Sequence, residues 1–561
     1  MSRNPLFHQL SRTIRIAWLA ERNRISTDEA IERVAEATGE AERRRSRREF
    51  LGDVARVAAA GAVASVAGPL ESAYAKPGGG GGGGGGGTRS IAIVGAGLAG
   101  LACADRLREA GVLATVYEAA TNRVGGRVRS LPGVFPGRTI ELGGEFIDYW
   151  HATILRYVHR FGLTRIDLFD TAAEVLYQID GDRYPESRII DGFRDVVLRM
   201  KKDLNSVTSG ISAKNFDATP GSADLRLDNT NLQQYLEDLG ADPIFTKAIQ
   251  SVFGGEYGQE IHLQSCLNFI KFAKLTRSKS HIVYFGANNA ERYAVAEGNE
   301  AFAKRLRDDL IAAGGSVQGG MFLTALKKAT DGRYVLSFGK KTTRTHDAVV
   351  LAIPATVIRA KVALDANLGI AAPTRAAIAG LQYGDNTKTM FQFGSSQPFA
   401  ALGGDGTAYG TDAALPNLQV AFPSKTGAPG ADPTKPAMVD YGFGQRGRLL
   451  PQVDPDGTGF LGDYDEVFPG AAAAAMPLLN GKLFARAHWP SDPNALGSYT
   501  CNPPGYFTTM EGWLGEPAGN LALAGEHTDP FDNFQGFIEG AAQSGIRAAE
   551  YLLGRIQGGL L

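Results

Sequence analysis

The stretch Ser90-Ile91-Ala92-Ile93-Val94-Gly95-Ala96-Gly97-Leu98-Ala99-Gly100 carries two signals in immediate succession. Ser90 to Val94 is a short apolar run of the kind that forms a buried parallel strand. Gly95, Gly97 and Gly100 follow with G-x-G-x-x-G spacing, and Leu101 to Ala110 reads as a helix that Gly111 ends. Val112 to Tyr117 reads as a second strand, closed by Glu118. Each residue type has a physical reason. Glycines let the backbone approach a pyrophosphate, the helix start at Leu98 and Ala99 stabilises its charge, and an acid about 20 residues on accepts ribose hydroxyls. Up to this point the pattern specifies a dinucleotide without choosing between NAD and FAD.

The flanking sequence makes the choice. Arg123-Val124-Gly125-Gly126-Arg127 follows the second strand, and Glu141-Leu142-Gly143-Gly144-Glu145-Phe146 comes shortly after. These segments resemble the flavin-containing amine oxidase family, which includes monoamine, polyamine and L-amino-acid oxidases. The resemblance implies that Gly125 and Gly126 border the cofactor, that Arg127 lies near the pyrophosphate, and that Gly143 and Gly144 let backbone approach the flavin. A guanidinium at Arg127 suits phosphate oxygens. Far along the chain, Leu521-Ala522-Leu523-Ala524-Gly525-Glu526-His527 resembles the family's closing strand and turn, and Gly536-Phe537-Ile538-Glu539 begins its final helix. By the same resemblance Gly525 and Glu526 meet the ribityl chain and Ile538 faces the flavin. Leu323, where the chain returns to the cofactor domain, is assigned to the cofactor as well. A Rossmann dehydrogenase has no reason to return to its cofactor so late, which selects FAD.

Three residues are read at the chemistry. Gly384-Asp385-Asn386-Thr387-Lys388 resembles the family segment whose lysine holds a water against flavin N5, so Lys388 is a catalytic candidate. Gly497-Ser498-Tyr499-Thr500 resembles one wall of an aromatic cage, supplied by Tyr499. Phe537 stands where monoamine oxidases have the second cage tyrosine and also borders the cofactor. Ser498 stands where they have the cysteine that bonds FAD; a serine forms no thioether, so FAD is expected to be noncovalent. Glu145 has two readings, a carboxylate that attracts a cationic substrate group or a structural one, and it is grouped with the cofactor residues. His527 reads as a structural hydrogen-bonding residue, and Asp529 and Asp532 as serving the turn before the helix.

Composition bounds the rest. A chain of 561 residues, 44% hydrophobic and 21% charged with a net charge of -1, reads as globular and offers no nucleic-acid-binding surface. Cys103, Cys266 and Cys501 lack metal-ligand or disulfide spacing, so no metal is expected and Cys103 reads as a small buried residue. Ser46-Arg47-Arg48-Glu49-Phe50-Leu51 matches a twin-arginine export address, followed by an apolar Val54–Val66 run and an Ala73-Tyr74-Ala75 cleavage pattern. The expected partner is that export machinery, and the expected location is periplasmic or secreted, reached in the folded state. Leu6, Phe7, Leu10, Ile14 and Trp18 could form one apolar helical stripe upstream.

The expected fold is α/β: a discontinuous Rossmann-like FAD-binding domain with an inserted mixed α+β substrate domain. Residues 1–76 form the signal segment and 77–88 a glycine linker. The FAD domain takes 89–168, 285–347 and 480–561; the substrate domain takes 169–284 and 348–479. Helices are expected over Ile190–Leu204 and Leu232–Val252. The resemblance implies oxidation of the C–H bond beside an amine, with hydride passing to flavin N5, imine hydrolysis, and dioxygen as acceptor giving hydrogen peroxide. Gly143-Gly144-Glu145-Phe146 and Glu256-Tyr257-Gly258 resemble bacterial members classed with amino-acid oxidases, which favours L-amino acids over poly- or monoamines. A binding protein merely stabilised by FAD is the alternative of another class.

Overall fold

A computed structural model describes residues 16–17, 19–21, 23–34, 89–168, 174–275, 292–424 and 431–561. The twin-arginine stretch, its apolar run, the cleavage pattern and the glycine run fall outside the described residues, as do Leu6 to Ile14 and Trp18.

The strand Ile91–Val94 is buried along its whole length and lies at the centre of a five-stranded parallel sheet. Its neighbours are Ala348–Leu351 on one side and Ala114–Tyr117 on the other, with Leu521–Leu523 and Ser316–Gln318 at the edges. A central parallel strand has both faces covered, which is why it reads as unbroken apolar sequence. The helix Leu98–Glu109 begins inside the glycine motif, and the last helix, Ile538–Gln557, packs across it. Their approach is close because Gly545 lies against backbone: a Cβ there would stand 2.0 Å from the Ala99 carbonyl oxygen. The two ends of the chain therefore build one domain around one core.

A second sheet of eight strands forms the substrate side. Thr387–Phe393 pairs with Ala437–Gly442, Ala475–Met476 and Phe484–His488; beyond Ala437–Gly442 come Val420–Ser424, Gly404–Gly410, Glu174–Ile179 and Asp182–Tyr184. Strands from both insertions thus share one sheet. Two expected boundaries are corrected by this pairing. Ala348–Leu351 belongs to the parallel sheet of the FAD domain, so that domain continues past 347. Phe484–His488 belongs to the substrate sheet, so that domain continues past 479. In both cases backbone hydrogen bonding between segments distant in sequence decides membership, which local composition does not encode.

Helices of the substrate side pack beneath this sheet. Glu186–Ser206 covers the expected Ile190–Leu204 helix. The single helix expected over Leu232–Val252 is two, Leu232–Asp238 and Pro243–Tyr257. Gly240, at φ +62°, breaks the run, and the Asp242 carboxylate caps the second helix by accepting from the Phe245 N–H at 3.0 Å.

Candidate active site

The carboxyl ends of the parallel strands open onto one cleft. Gly95 follows the first strand, Glu118 the second, Ala352 the Ala348–Leu351 strand and Gly525 the last, and all four line it. A crevice outside the carboxyl ends of such a sheet is the general site for a dinucleotide. It encloses about 990 Å³ of empty space, the solvent at its mouth included. Gly95 sits at φ +104°, and a Cβ there would stand 2.5 Å from the Ala352 carbonyl oxygen, so only glycine closes this turn. Gly125 donates from its N–H to the Ala96 carbonyl at 2.8 Å, which lays the first glycine pair alongside the turn. Glu118 holds the geometry from the other side, accepting from the Ala96 N–H at 2.7 Å and the Ala120 N–H at 2.9 Å.

Charge in the cleft is concentrated on Arg127 and Glu526. Arg127 Nη1 donates to Glu526 Oε1 at 2.8 Å and to the Ser498 carbonyl at 2.9 Å. Glu526 also accepts from the Thr500 hydroxyl at 2.8 Å and the Gly536 N–H at 2.9 Å. Burial alone would raise this carboxyl, but the charge and hydrogen bond of the Arg127 guanidinium, the largest of the opposing effects, bring it down to about 2. Next to it, burial lowers His527 to about 4, so the imidazole is neutral at neutral pH. The expected structural hydrogen bond of His527 is corrected: among the described residues neither ring nitrogen has a partner, although the residue is 2% exposed. Asp529 does serve its turn, accepting from the Phe534 N–H at 2.8 Å, whereas Asp532 pairs with Lys271 at 2.8 Å.

These residues fit FAD. The helix Leu98–Glu109 opens into the cleft with no side-chain cap, leaving its first N–H groups for a pyrophosphate. Glu118 offers acceptor oxygens where ribose hydroxyls would lie. The partnerless His527 nitrogens leave a donor and an acceptor at the wall. When bound, FAD supplies a two-electron acceptor that no side chain provides.

Beyond the cleft lies a buried ion pair. Lys388 Nζ donates to Glu145 Oε2 at 2.7 Å and to the carbonyls of Glu141 and Gly143, both at 3.2 Å. Glu145 accepts in turn from the Ser424 hydroxyl at 3.0 Å. Tyr441 stands directly across the sheet from Lys388. Its hydroxyl meets that of Tyr499 at 3.0 Å, and the Tyr499 hydroxyl reaches the Gly255 carbonyl at 2.7 Å. Phe422 packs edge-on against Tyr441, and Phe146 lies tilted against Phe422 with ring centroids 6.5 Å apart.

The expected residues divide cleanly. Gly95, Gly97, Leu98, Ala99, Glu118, Gly125, Gly126, Arg127, Leu323, Gly525, Glu526 and Ile538 line the cleft. Gly100, Gly143, Gly144, Glu145 and Phe537 stand outside its wall. Gly100 and Gly143 are spaces for backbone: a Cβ on either would come 2.0 Å from a carbonyl oxygen, that of Gly95 or Arg127. Gly144 gives its carbonyl to the Asn299 amide at 2.9 Å. Phe537 precedes the last helix with its ring 5.5 Å from that of His151. Glu145 pairs with the Lys388 ammonium and accepts from the Ser424 hydroxyl. Tyr441, Phe422 and Phe146 were missed, because pairing across strands carries no local sequence mark. Ala352, Ile353 and Pro354 also line the cleft, just past the end of the strand Ala348–Leu351.

A parallel sheet with a glycine turn, a cleft at its strand ends and a lysine held beyond it define a flavoprotein oxidoreductase. The chain belongs to the flavin containing amine oxidoreductase family, whose model matches residues 98–553, and FAD is its cofactor. Among its relatives, a putrescine oxidase of Kocuria rosea is 28% identical over 207 residues, 35% of this chain and 41% of that protein. An L-amino-acid oxidase of Pseudechis australis is 25% identical over 30% of this chain and 40% of its own length. The chain thus spans about two fifths of these curated relatives. A solved putrescine oxidase with putrescine bound superposes at a TM-score of 0.68, with 18% identity over 83% of this chain and 99% of that one. Cyclohexylamine oxidase of Brevibacterium oxydans gives 0.69, with 18% identity over 84% and 100%. At these identities the likeness is one of fold.

Proposed function

We propose that the protein oxidises a primary amine carried on a largely apolar body, releasing an imine that water hydrolyses to a carbonyl compound and ammonia. Two electrons leave the amine-bearing carbon as hydride, and dioxygen takes them with two protons to become hydrogen peroxide. One observation carries the choice of substrate: the Lys388 ammonium is already neutralised by Glu145, and the residue across the sheet from it, Tyr441, begins a run of packed aromatic side chains. An amino acid needs a cation for its carboxylate. Arg446, a partly buried cation on the helix Gly444–Val453 beside this sheet, is paired with Asp440 at 3.0 Å. An apolar amine needs only the rings to shape its pocket and a neutral nitrogen.

In this reading Lys388 orients a water for proton transfer, Glu145 fixes its ammonium, and the Tyr441–Tyr499 pair holds a wall of the substrate pocket. Arg127 and Glu526 anchor the cofactor. Ser498, hydrogen-bonded to the Gly384 carbonyl at 2.9 Å, presents a hydroxyl where a thioether would require sulfur, in keeping with noncovalent FAD.

A second reading, L-amino-acid oxidation, is favoured by a local match of 40% identity over 75 residues to an L-amino acid oxidase of Lachesis muta, 13% of this chain and 14% of that one. Anaerobic mixing with a panel of alkyl and cyclic amines, diamines and L-amino acids separates the two. Bleaching of the flavin absorbance by amines alone is expected. Bleaching by amino acids alone selects the second reading, and bleaching by none makes the protein a binding protein. The rate should rise with pH through the pKa of the substrate ammonium, since only the free amine reacts; a flat profile contradicts amine oxidation. Export by the twin-arginine route belongs to the same proposal, on the strength of the ordered arginine pair, apolar run and Ala-x-Ala pattern. Replacing Arg47 and Arg48 with lysine should retain the enzyme in the cytoplasm.

A further inference from the structure

Residues 16–34 precede the arginine pair, in a part of the chain that export processing would discard, yet they are packed into the enzyme. Ile16, Ala17, Ala20 and Ala30 are fully buried and Val34 is 4% exposed. All five share the apolar core that contains Ile190, Phe193 and Val197 of the helix Glu186–Ser206. Polar contacts fix the register. Arg194 of that helix donates from Nε to Glu21 and from Nη1 to the Thr27 hydroxyl, each at 2.7 Å. The Thr27 hydroxyl donates to Asp191, and Arg194 Nη2 reaches the Ile25 carbonyl at 3.4 Å. A solvated leader would show polar residues on this face; here small and branched apolar residues are inside and charged ones pair at the rim.

The covered helix is close to the chemistry. A Cβ on its Gly192 would stand 2.6 Å from Cβ of Phe245, so it lies tightly on the helix Pro243–Tyr257. The far end of that second helix supplies the Gly255 carbonyl that holds Tyr499.

We propose that residues 16–34 are a structural element of the substrate domain, and that cleavage anywhere within residues 35–88 leaves them bound to the enzyme as a separate peptide. The proposal rests on packing and is independent of the substrate. The apolar side chains would have to enter water for the peptide to leave, and the rim contacts add direction to that cost.

The test uses the full FAD-loaded chain with a recognition sequence for a site-specific protease placed in the Gly78–Gly87 run. Cutting is brought to completion, verified by the masses of a denatured sample, and the product is run on native gel filtration. The expected result is one N-terminal peptide eluting with each enzyme molecule. Ala20→Asp should increase the fraction of free peptide at least about tenfold, a change of about 1.4 kcal/mol. Arg194→Glu, which leaves the apolar core untouched, should act in the same direction and stands in if Ala20→Asp does not fold. A wild-type peptide that elutes alone overturns the proposal, and so does a peptide whose retention Arg194→Glu leaves unchanged.

Discussion

Arg127 is largely buried and Lys388 buried, as is the carboxylate partner of each, so removing either cation strands a carboxylate. Arg127→Ala is expected to cost about 3–5 kcal/mol, read as a lower melting midpoint with loss of bound FAD absorbance. Arg127→Lys should recover only part of this, because a flexible ammonium holds the position between Glu526 and the Ser498 carbonyl less firmly than the planar guanidinium, whose Nη1 donates to both. Lys388→Met should slow anaerobic flavin reduction about 10²-fold or more and also destabilise, since Glu145 is left unneutralised. The double variant Lys388→Met with Glu145→Gln separates these effects: the melting midpoint should return toward that of the wild type while flavin reduction stays slow. Recovery of the rate would contradict the assignment of Lys388 to the chemistry.

The crossing of the helices Leu98–Glu109 and Ile538–Gln557 joins the two ends of the chain. Its contact surface is largely glycine and alanine, with Ala99 facing Gly545. Gly545→Val is therefore expected to cost at least about 1–3 kcal/mol and to weaken FAD retention, because the clash is with backbone that cannot rotate away. A substitution at Gly554, where a Cβ would meet nothing within 4 Å, should leave the melting midpoint nearly unchanged. The helices and strands themselves were largely legible in the sequence, since Ile91–Val94 and Leu521–Leu523 are short, fully buried apolar runs. The break near Gly240 was also written there, in a glycine followed by Asp242-Pro243, a cap and a helix-starting proline. The apolar periodicity over Leu232–Val252 outweighed it.

Across the whole molecule three buried groups shape stability against pH in the FAD-free protein. Glu526 titrates at about 2 when folded against an ordinary 4.5, so its contribution is present above 4.5 and is lost as pH falls through 2. His527, lowered by burial to about 4 from 6.5, contributes above 6.5 and loses that contribution as pH falls through 4. Glu141 runs the other way: burial raises it to about 8, so its contribution is full below 4.5 and is lost as pH rises through 8. Melting midpoints are expected to fall on both sides of an optimum between these limbs. Glu141→Gln should flatten the alkaline limb and leave the acid one, whereas an unchanged alkaline limb would show that Glu141 is ionised in the folded protein.

The sequence alone determined the dinucleotide turn and part of the cleft wall, because those depend on local needs: Gly95 at a φ only glycine adopts readily, apolar strands, an acid at a strand end. The tertiary structure decided what Glu145 does, by setting it against Lys388, 243 residues away. It likewise decided which sheet claims Ala348–Leu351 and Phe484–His488, and that a segment preceding Arg47 and Arg48 packs into the apolar core. Such choices arise from pairing and burial between distant segments. No local pattern states them, since the partner that satisfies a buried charge or a strand edge is fixed only when the chain has folded.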